Sequence, residues 1–487
     1  MLQVQTDSNY YHHLTPPIHI SCFLLSLSTI SIIVSLSKKN KQKKWTMQEL
    51  PDCLYEGKQQ TLITPSSPTP NHSLYLSNLD GHHFLRFSIK YLYLFQKSPS
   101  TQTLKDSLSR VLVDYYPLAG RIKVSDNSAK LEVDCNGEGA VFAEAYMDTT
   151  CQEFLELSPQ PNQSWRKLLF KVQAPSFLDI PPLVIQVTHL RCGGMILCTA
   201  INHCLCDGIG TSQFLHAWAH ANTTNAPLPI QPSHSRHMLD PRDPPRVTHS
   251  HPGFTRTTVD KNSTFNICKY LQSRPLSPTT ITFTQPLTLR LKKTCAPSLK
   301  CTTFEALAAH TWCSWARALD LPLTMQVKLL FSVNMRKKLT PELAQGYYGN
   351  GFVLACAESK VQDLVNGNIH HAVKLVQDAK AGITDAYVRS TIDLLEDKTV
   401  KTDVSSSLVI SQWAKLGLEE LDFGGGKPMY MGSLTSDIYC LFLPVAGNCD
   451  AIRVQVSLPE DVVKRLEYYM VKFLDAKDKE EDRTFAQ

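Results

Sequence analysis

The sequence predicts an α/β protein built from two domains. The chain has 487 residues, and a single hydrophobic core rarely grows beyond about 250–300 residues before a chain divides into domains. Apolar residues make up 43% of the sequence and charged residues 19%, which is the composition of a globular protein. From Met47 onward, short β-like runs alternate with helical stretches, and this alternation is typical of α/β folds.

The first elements after Met47 are indicated by composition and by turn residues. Residues 84–94 are rich in aromatic and aliphatic side chains and predict a strand, and residues 104–115 have the apolar spacing of a helix. Residues 130–134 and 139–145 also predict strands. Asn136-Gly137 lies between them, and this dipeptide favours a hairpin-type turn.

Two strongly apolar strands follow, at Leu183–Leu190 and Met195–Asn202, joined across a Gly-Gly pair. His203 comes directly after the second strand. Thr211, which follows two glycines, is predicted as the N-cap of a helix that reaches about Ala221.

The segment Pro227–Pro252 differs from the rest, because Pro, His, Arg and Asp are dense in it and it has no apolar period. It predicts a long crossover between two domains. Thr302–Ala318 then predicts a helix, after which strands and helices alternate again. We therefore expect a first domain over residues 47–230, a crossover loop over 231–280 and a second domain over 281–487.

The first 46 residues form a separate extension. Ile18–Ser37 is a mostly apolar run followed by a cluster of lysines up to Lys44. Its length would span a bilayer, and the lysines would keep the rest of the chain on the cytoplasmic side. However, serines dilute the run, and no basic stretch precedes it as a signal peptide requires. Residues 1–46 are interpreted as an over-extended translation start, with a membrane anchor as the alternative.

Charge and cysteine content argue against several classes of function. The formal net charge is +5 with no long basic tract in the body of the chain, unlike a nucleic-acid-binding protein. The 15 cysteines have no regular spacing, so neither a disulfide framework nor a zinc site is predicted. Cys204 and Cys206 follow His203 closely, and such thiolates are potential metal ligands. Small apolar fillers in a buried turn are the simpler interpretation.

The residues that point most clearly to chemistry are His203 and Asp207. A histidine at the end of a buried strand is held rigidly, and imidazole is the side chain best suited to accept a proton near neutral pH. Asp207 is a candidate to orient the imidazole as in a triad, or to pair elsewhere and fix the loop. This spacing alone is weak evidence, since a histidine satisfied in a turn is the commoner case. No Gly-x-Ser-x-Gly elbow or Gly-rich phosphate loop accompanies it.

The segment His203–Gly208 resembles the His-x-x-x-Asp-Gly signature of the plant BAHD acyltransferases, which transfer acyl groups from CoA thioesters to alcohols or amines. Other stretches resemble motifs of the same family in the same order. They are Tyr116–Arg121, Asp134–Gly139, Thr303–Leu307, Val333–Arg336, Tyr348–Asn350 and Asp422–Gly426. The resemblance extends from Met47 to the end of the chain, which is identified as a member of this family.

The resemblance implies two similar domains like those of chloramphenicol acetyltransferase, with mixed β-sheets and a solvent channel between them. His203 would lie in the channel as general base, reached by acyl-CoA from one face and by an acceptor alcohol from the other. Asp207 would point away from the channel and pair with Arg336, and Asp422 would act structurally across the domain boundary. Acyl-CoA would be a co-substrate, no bound cofactor or metal would be needed, and the protein would be a monomer.

The resemblance also assigns an oxyanion donor. The family uses the Trp of a Thr-x-Trp stretch, which here reads Ser411-Gln412-Trp413. Trp413 is therefore the expected donor and Ser411 a helper, whereas a lone Trp before a loop would otherwise indicate packing. The chain departs from the family at Gly425, which replaces the Trp of an Asp-Phe-Gly-Trp-Gly motif. We expect a looser loop there, and a neighbouring group that fills the space of the missing indole. The substitution is also expected to affect the docking of the loop and the affinity for CoA.

The expected activity is transfer of an acyl group from CoA to an alcohol. Leu74–Asp80 resembles members that move hydroxycinnamoyl groups, such as feruloyl or caffeoyl, onto ω-hydroxy fatty acids or fatty alcohols of suberin and cutin. An acetyl or aliphatic donor with a terpenoid or phenolic acceptor is an alternative. A non-catalytic accessory protein in very-long-chain lipid or wax elongation is a second class, which Gly425 favours and the intact His203 disfavours. We expect a cytoplasmic protein, associated with a membrane if residues 1–46 are an anchor.

Overall fold

The computed structural model describes residues 49–484, except for residues 58, 127–129, 159–160, 258–265, 296–298 and 435–438. Side chains are described up to residue 472, apart from that of residue 163. The predicted extension over residues 1–46 therefore lies outside the described residues. None of the helices in the described ranges is long and apolar enough to cross a membrane.

The secondary structure alternates between strands and helices, as the sequence predicts. The helices are α1 (Thr101–Asp114), α2 (Cys151–Leu157), α3 (Gly208–Thr223), α4 (Ile267–Gln272), α5 (Gln285–Lys293), α6 (Thr303–Leu319), α7 (Val361–Asn366), α8 (Ile369–Ala381), α9 (Asp385–Leu394) and α10 (Glu460–Thr484). The strands of the first half are β1 (Thr61–Ile63), β2 (Ser73–Tyr75), β3 (Ser88–Phe95), β4 (Arg121–Val124), β5 (Leu131–Asp134), β6 (Ala140–Met147), β7 (Leu183–Leu190), β8 (Met195–Asn202) and β9 (Phe254–Arg256). The later strands are β10 (Ser277–Phe283), β11 (Gln326–Asn334), β12 (Phe352–Lys360), β13 (Val400–Thr402), β14 (Ser407–Gln412), β15 (Tyr430–Ser433), β16 (Cys440–Val445) and β17 (Asn448–Leu458).

The first large sheet has the strand order β1-β6-β7-β8-β3-β15. Its centre is the antiparallel pair β7 and β8, which have the bounds predicted from the sequence. Every residue of β8 is buried, and a strand covered on both faces reads as a continuous apolar run without alternation. Strands β6 and β7 are parallel and the other pairs are antiparallel, so the sheet is mixed. We call this sheet with helices α1–α3 the N-lobe.

The second large sheet has the order β10-β17-β16-β14-β11-β12 and is also mixed, because β14 runs parallel to both of its neighbours. Helix α6 supplies much of the core beneath it. The predicted start of this helix is confirmed, since Thr302 and Glu305 form a reciprocal capping box at its N-terminus. We call this sheet with helices α4–α10 the C-lobe.

The two lobes are joined by a strand that comes from the second half of the chain and forms an edge of the N-lobe sheet. Strand β15, which follows the C-lobe strand β14 in sequence, pairs antiparallel with β3 at the edge of the N-lobe sheet. The N-lobe core also takes in Tyr348, Trp413, Leu418 and Phe423 from the second half of the chain. Burying each such side chain contributes about 1.5–3 kcal/mol, so the lobes share both backbone pairing and core.

Two local predictions are wrong. The Asn136-Gly137 turn is not a hairpin, because β5 pairs with β2 and β4 in a small sheet while β6 joins the large one. A turn dipeptide determines local direction but not the partner of each strand. The N-cap of α3 is Asp207 and not Thr211, since the Asp207 carboxylate accepts a hydrogen bond from Gly210 N at 2.8 Å and the helix begins at Gly208.

The strand predicted over residues 84–94 begins later than expected. A 3-10 turn occupies His83–Leu85, and β3 starts at Ser88. The segment Pro227–Pro252, all of which is described, contains no regular element beyond the 3-10 turn Arg236–Leu239. It runs between the lobes as irregular chain, in keeping with its composition.

Candidate active site

His203 lies at the junction of the two lobes. It follows the last residue of β8, and its N–H donates to the carbonyl of Phe87 at 2.9 Å. Its own carbonyl accepts from Asn350 Nδ2 of the C-lobe at 2.8 Å. The imidazole packs edge-on against the Phe87 ring, with centroids 5.2 Å apart, and lies 6.0 Å from the ring of Phe352. Both lobes therefore hold the position of this residue.

The surroundings of His203 favour its neutral form. Burial among aromatic side chains lowers the pKa of His203 below its ordinary value of 6.5, and this outweighs the opposite effect of Asp207 and Asp80. No other described residue hydrogen-bonds to the buried Nδ1 atom. An uncharged imidazole at neutral pH is the form that accepts a proton.

Asp207 does not orient the His203 ring, so of the two roles left open by the sequence the structure supports the second. Its carboxylate receives two hydrogen bonds from Arg336, Nη1 to Oδ2 at 2.8 Å and Nη2 to Oδ1 at 3.0 Å. Gly351 N donates to Oδ2 at 3.0 Å, in addition to the bond from Gly210. This is the Asp207–Arg336 pair that the family resemblance implies, and it connects the turn after His203 to the C-lobe.

A second buried ion pair lies behind the histidine and was not predicted. Arg236 Nη1 is 2.7 Å from Asp80 Oδ1, with the two side chains 1% and 0% exposed. Asn350 donates to the same oxygen through its N–H at 3.0 Å and through Nδ2 at 2.9 Å. Because Nδ2 also donates to the His203 carbonyl, the pair is linked to the candidate base through one side chain.

The sequence held partial signals for this second pair. Asp80 and Asn350 lie in stretches that resemble family motifs, but Arg236 lies in the irregular crossover, where an arginine reads as exposed. Gly349 and Gly351 flank Asn350. A Cβ at Gly349 would lie 2.4 Å from Arg236 Nη1, and a Cβ at Gly351 would lie 2.5 Å from Arg336 Nη1. Glycine at both positions allows the two guanidinium groups to pack against this loop.

Trp413 and Ser411 lie together beside the first turn of α3. The Trp413 indole stacks on Tyr91 with centroids 5.2 Å apart, and its Nε1 donates to Ser411 Oγ at 3.0 Å. A Cβ on Gly208 would lie 3.9 Å from Trp413 Cε2, so the indole is next to the residue that follows Asp207. The indole N–H is thus engaged by Ser411, and the Ser411 hydroxyl proton is available to a further acceptor.

Asp422 lies apart from these residues, exposed in its own loop. Its Oδ1 accepts from Gly424 N at 2.7 Å and from Gly426 N at 2.9 Å. The contact with the N-lobe is made by the next residue, Phe423, whose ring packs edge-on against Trp218 of α3 at 4.9 Å. At Gly425, a Cβ would be 2.8 Å from the carbonyl oxygen of Lys97. The neighbour that takes up space at this position is therefore the Lys97 main chain.

The cysteines near the histidine are packing residues in this structure. Cys204 and Cys206 are fully buried, and Cys204 Sγ donates to the carbonyl of Leu85 at 3.5 Å. Among the described side chains, no group of three His, Cys, Asp or Glu residues is arranged to hold a metal ion.

Comparison with known proteins identifies the family of this chain. A family model described as Transferase, the Transferase family, matches residues 55–471. Two Arabidopsis thaliana proteins are each 33% identical to this chain. Omega-hydroxypalmitate O-feruloyl transferase aligns over 88% of this chain and 95% of its own length, and fatty alcohol:caffeoyl-CoA acyltransferase over 84% and 96%. Taxadien-5-alpha-ol O-acetyltransferase of Taxus chinensis is 30% identical over 85% and 95%.

Solved structures share the same fold. Vinorine synthase superposes with a TM-score of 0.67 at 20% identity, over 85% of this chain and 97% of that one. The Fusarium protein "F. graminearum TRI101 complexed with Coenzyme A and Deoxynivalenol" gives 0.66 at 19% identity, over 81% and 97%. These likenesses confirm the predicted fold class, an α/β protein with two mixed sheets.

The fold and the curated relatives define an acyltransferase of two lobes. The chain belongs to the BAHD acyltransferases, the Transferase family of the matching model. As a member of this family it is an acyl-CoA-dependent O-acyltransferase. The three curated relatives named above are all transferases by name, so the accessory interpretation gains no support from them.

Proposed function

We propose that the chain transfers a hydroxycinnamoyl group from CoA to the hydroxyl of a long-chain acceptor, an ω-hydroxy fatty acid or a fatty alcohol, with His203 as general base. The names of the two 33% identical relatives support this substrate class. The observation that carries the mechanism is the position of His203 at the lobe junction, where the partly buried ring has a lowered pKa. Cytoplasmic location and a role in suberin or cutin belong to this proposal.

The reaction proceeds by direct transfer. The imidazole of His203 takes the proton of the acceptor hydroxyl as its oxygen attacks the thioester carbonyl, which forms a C–O bond and a tetrahedral oxyanion. Collapse of this intermediate breaks the C–S bond, and His203 returns the proton to the CoA thiolate. Asp207 and Arg336 hold the turn that carries His203 and take no part in the proton transfer.

Ser411 is the proposed oxyanion donor, and Trp413 is proposed to orient it, because the single N–H of the indole is already engaged. Trp413 Nε1 donates to Ser411 Oγ at 3.0 Å, which orients the serine so that its own proton can point at the developing charge. A single well-placed donor is worth about 10²–10³ in kcat. Trp413 also packs in the N-lobe core, so its replacement would disturb packing as well as the hydrogen bond. Replacing Ser411 removes the hydroxyl donor without removing a core side chain.

The test is CoA release by the full chain from feruloyl-CoA, with an ω-hydroxy fatty acid, a fatty alcohol or no acceptor. General-base catalysis is worth about 10²–10⁴ in rate, so His203→Ala is expected to lose acceptor-dependent release by that factor. Ser411→Ala is expected to lower kcat about 10²-fold. His371→Ala, the same change at an exposed histidine of α8, is the matched control and should match the wild type.

Release that is unchanged in a folded His203→Ala variant would remove this residue as the base. Wild-type release from acetyl-CoA alone, with no transfer from feruloyl-CoA, would overturn the hydroxycinnamoyl proposal while leaving the acyltransferase class intact.

A further inference from the structure

A separate, small and partly open cleft lies at the lobe junction on the side of the 3-10 turn His83–Leu85. Its wall combines the cations Arg86, Lys130 and Lys398 with apolar side chains that include Leu395 and Val400. Residues of both lobes form it, since Arg86 precedes β3 and Lys398 precedes β13. An apolar wall next to a group of cations is suited to an amphiphile with an anionic end.

The positive charge of this cleft is not neutralised by the protein. Asp397 is the carboxylate that lines it, and this group already binds Arg256 Nε at 3.0 Å. Lys130 forms an ion pair with Glu396. Within the described part of the chain, Arg86 donates to the carbonyl of Gly81 and Lys398 to that of Leu395 at 3.3 Å, and no carboxylate pairs with either.

The electrostatics of the cleft agree with an anion site. Burial lowers the pKa of Lys398; attraction from Glu396 opposes this effect, and repulsion from Lys130 and Arg86 adds to it. Burial and the charge of Arg86 likewise lower the pKa of His83. His82 also lines the cleft, and its Nε2 atom, which is buried, has no hydrogen-bond partner among the described residues. Crowded cations and an unpaired donor would each be stabilised by a carboxylate.

The cleft is connected to the candidate base by a short segment of chain. His82–Phe87 lines the cleft at one end, and at the other end Phe87 contacts the His203 ring and accepts its N–H. The six residues of this segment span at most about 20 Å even when fully extended, which limits the separation that a long flexible acceptor with its hydroxyl at His203 would have to bridge.

We propose that this cleft binds the carboxylate of the acyl acceptor, so that the chain prefers long-chain ω-hydroxy acids to fatty alcohols of equal length. The inference rests on the proposed function and selects between its two acceptor types. Arg86 and Lys398 hold the carboxylate, and the apolar wall accommodates the adjoining methylene groups. A neutral alcohol makes no ion pair with these cations, which discriminates against it.

The test compares 16-hydroxyhexadecanoate, its methyl ester and 1-hexadecanol as acceptors for feruloyl-CoA, using the full chain. The measured quantity is the ratio of kcat/KM for the hydroxy acid to kcat/KM for the alcohol. Because the double variant Arg86→Met with Lys398→Met removes two partly exposed ion pairs to the carboxylate, it is expected to lower the ratio about tenfold. The methyl ester should behave as the alcohol does in every variant.

Lys374→Met, which removes an exposed lysine of α8, is the matched control for loss of charge and should leave the ratio unchanged. A ratio that is unchanged in the double variant would overturn the carboxylate site while the proposed function stands. A rise in KM for feruloyl-CoA with all three acceptors would assign the cleft to a phosphate of CoA and would also overturn it. Transfer by the wild type to none of the acceptors would refute the proposed function itself.

Discussion

The position of His203 is fixed mainly by hydrogen bonds to its main chain, and less by contacts to its ring. Phe87 accepts from its N–H and Asn350 donates to its carbonyl, while aromatic rings surround the imidazole. Asp207, the obvious partner in a sequence motif, is occupied by Arg336. The proposed base is thus held by packing and main-chain bonds, and desolvation lowers its pKa with no carboxylate bound to Nδ1.

The pH dependence of transfer follows from the pKa of His203. Because burial favours the neutral imidazole, the pKa lies below 6.5 and the ring is unprotonated at higher pH. We expect kcat/KM to be flat from pH 6.5 upward through neutrality and to fall as the pH decreases through the lowered pKa. A pH profile of kcat/KM, with circular dichroism to verify folding at each pH, measures this. An acid limb centred above pH 6.5 would contradict it.

The buried pair of Asp80 and Arg236 predicts a large loss of stability when one partner is neutralised. Asp80→Asn keeps the shape but leaves the Arg236 charge buried and uncompensated, which costs about 3–5 kcal/mol. Urea unfolding measures the change in the free energy of unfolding. Asp148→Asn is the matched control, because the Asp148–Arg191 pair is exposed and should change stability by under about 1 kcal/mol. Equal losses in the two variants would refute the role given to burial.

The loop that departs from the family motif is tied down within itself and against the N-lobe. Asp422 binds two amides of its own loop, and Phe423 inserts beside Trp218 while its carbonyl accepts from Asn222 at 2.7 Å. Gly425 faces the Lys97 main chain without room for a side chain. The absence of the family Trp is therefore matched by a close approach of the loop to Lys97.

Gly425→Ala is expected to destabilise the protein. Its Cβ would lie 2.8 Å from Lys97 O, and overpacking of this kind costs about 1–3 kcal/mol. The control is Gly382→Ala, where the nearest atoms to a Cβ are at 3.5 Å and the backbone conformation suits alanine. That change should be neutral or stabilising. Thermal unfolding of both variants gives the comparison, and a Gly425→Ala variant as stable as the wild type would mean that the loop shifts at no cost.

The lobes depend on each other for both sheet and core. Strand β15 supplies an edge of the N-lobe sheet, and the loop that carries Asn350 and Gly351 closes over the turn after His203. The proposed catalytic residue, His203, lies at this junction and reaches its position only when both lobes are folded. The same contacts make separate unfolding of the lobes unfavourable.

We expect residues 1–253, expressed without the rest of the chain, not to fold. This fragment lacks β15 and the side chains that complete the N-lobe core, among them Phe423 and Met431. Calorimetry of the intact chain should show one cooperative transition, and the fragment should show none. A cooperative transition in the isolated fragment, or two separate transitions in the intact chain, would show that the lobes are independent.

Local patterns were sufficient for the strands β7 and β8, for the helix α6 to within one residue at each end, and for the place of His203 at a strand end. Each depends on neighbours in sequence: a continuous apolar run, a helical apolar pattern, or a residue that follows a strand. The family motifs added the Asp207–Arg336 contact, which no spacing could have indicated.

Long-range folding was needed for the rest. The pairing of β15 with β3, the separation of β5 from β6 and the burial of Arg236 against Asp80 join residues far apart in the chain. Such contacts depend on which surfaces meet once both lobes have formed, and a one-dimensional pattern does not contain that information. An arginine among prolines and histidines becomes a buried ion-pair partner only because the crossover passes between two lobes that exclude water from it.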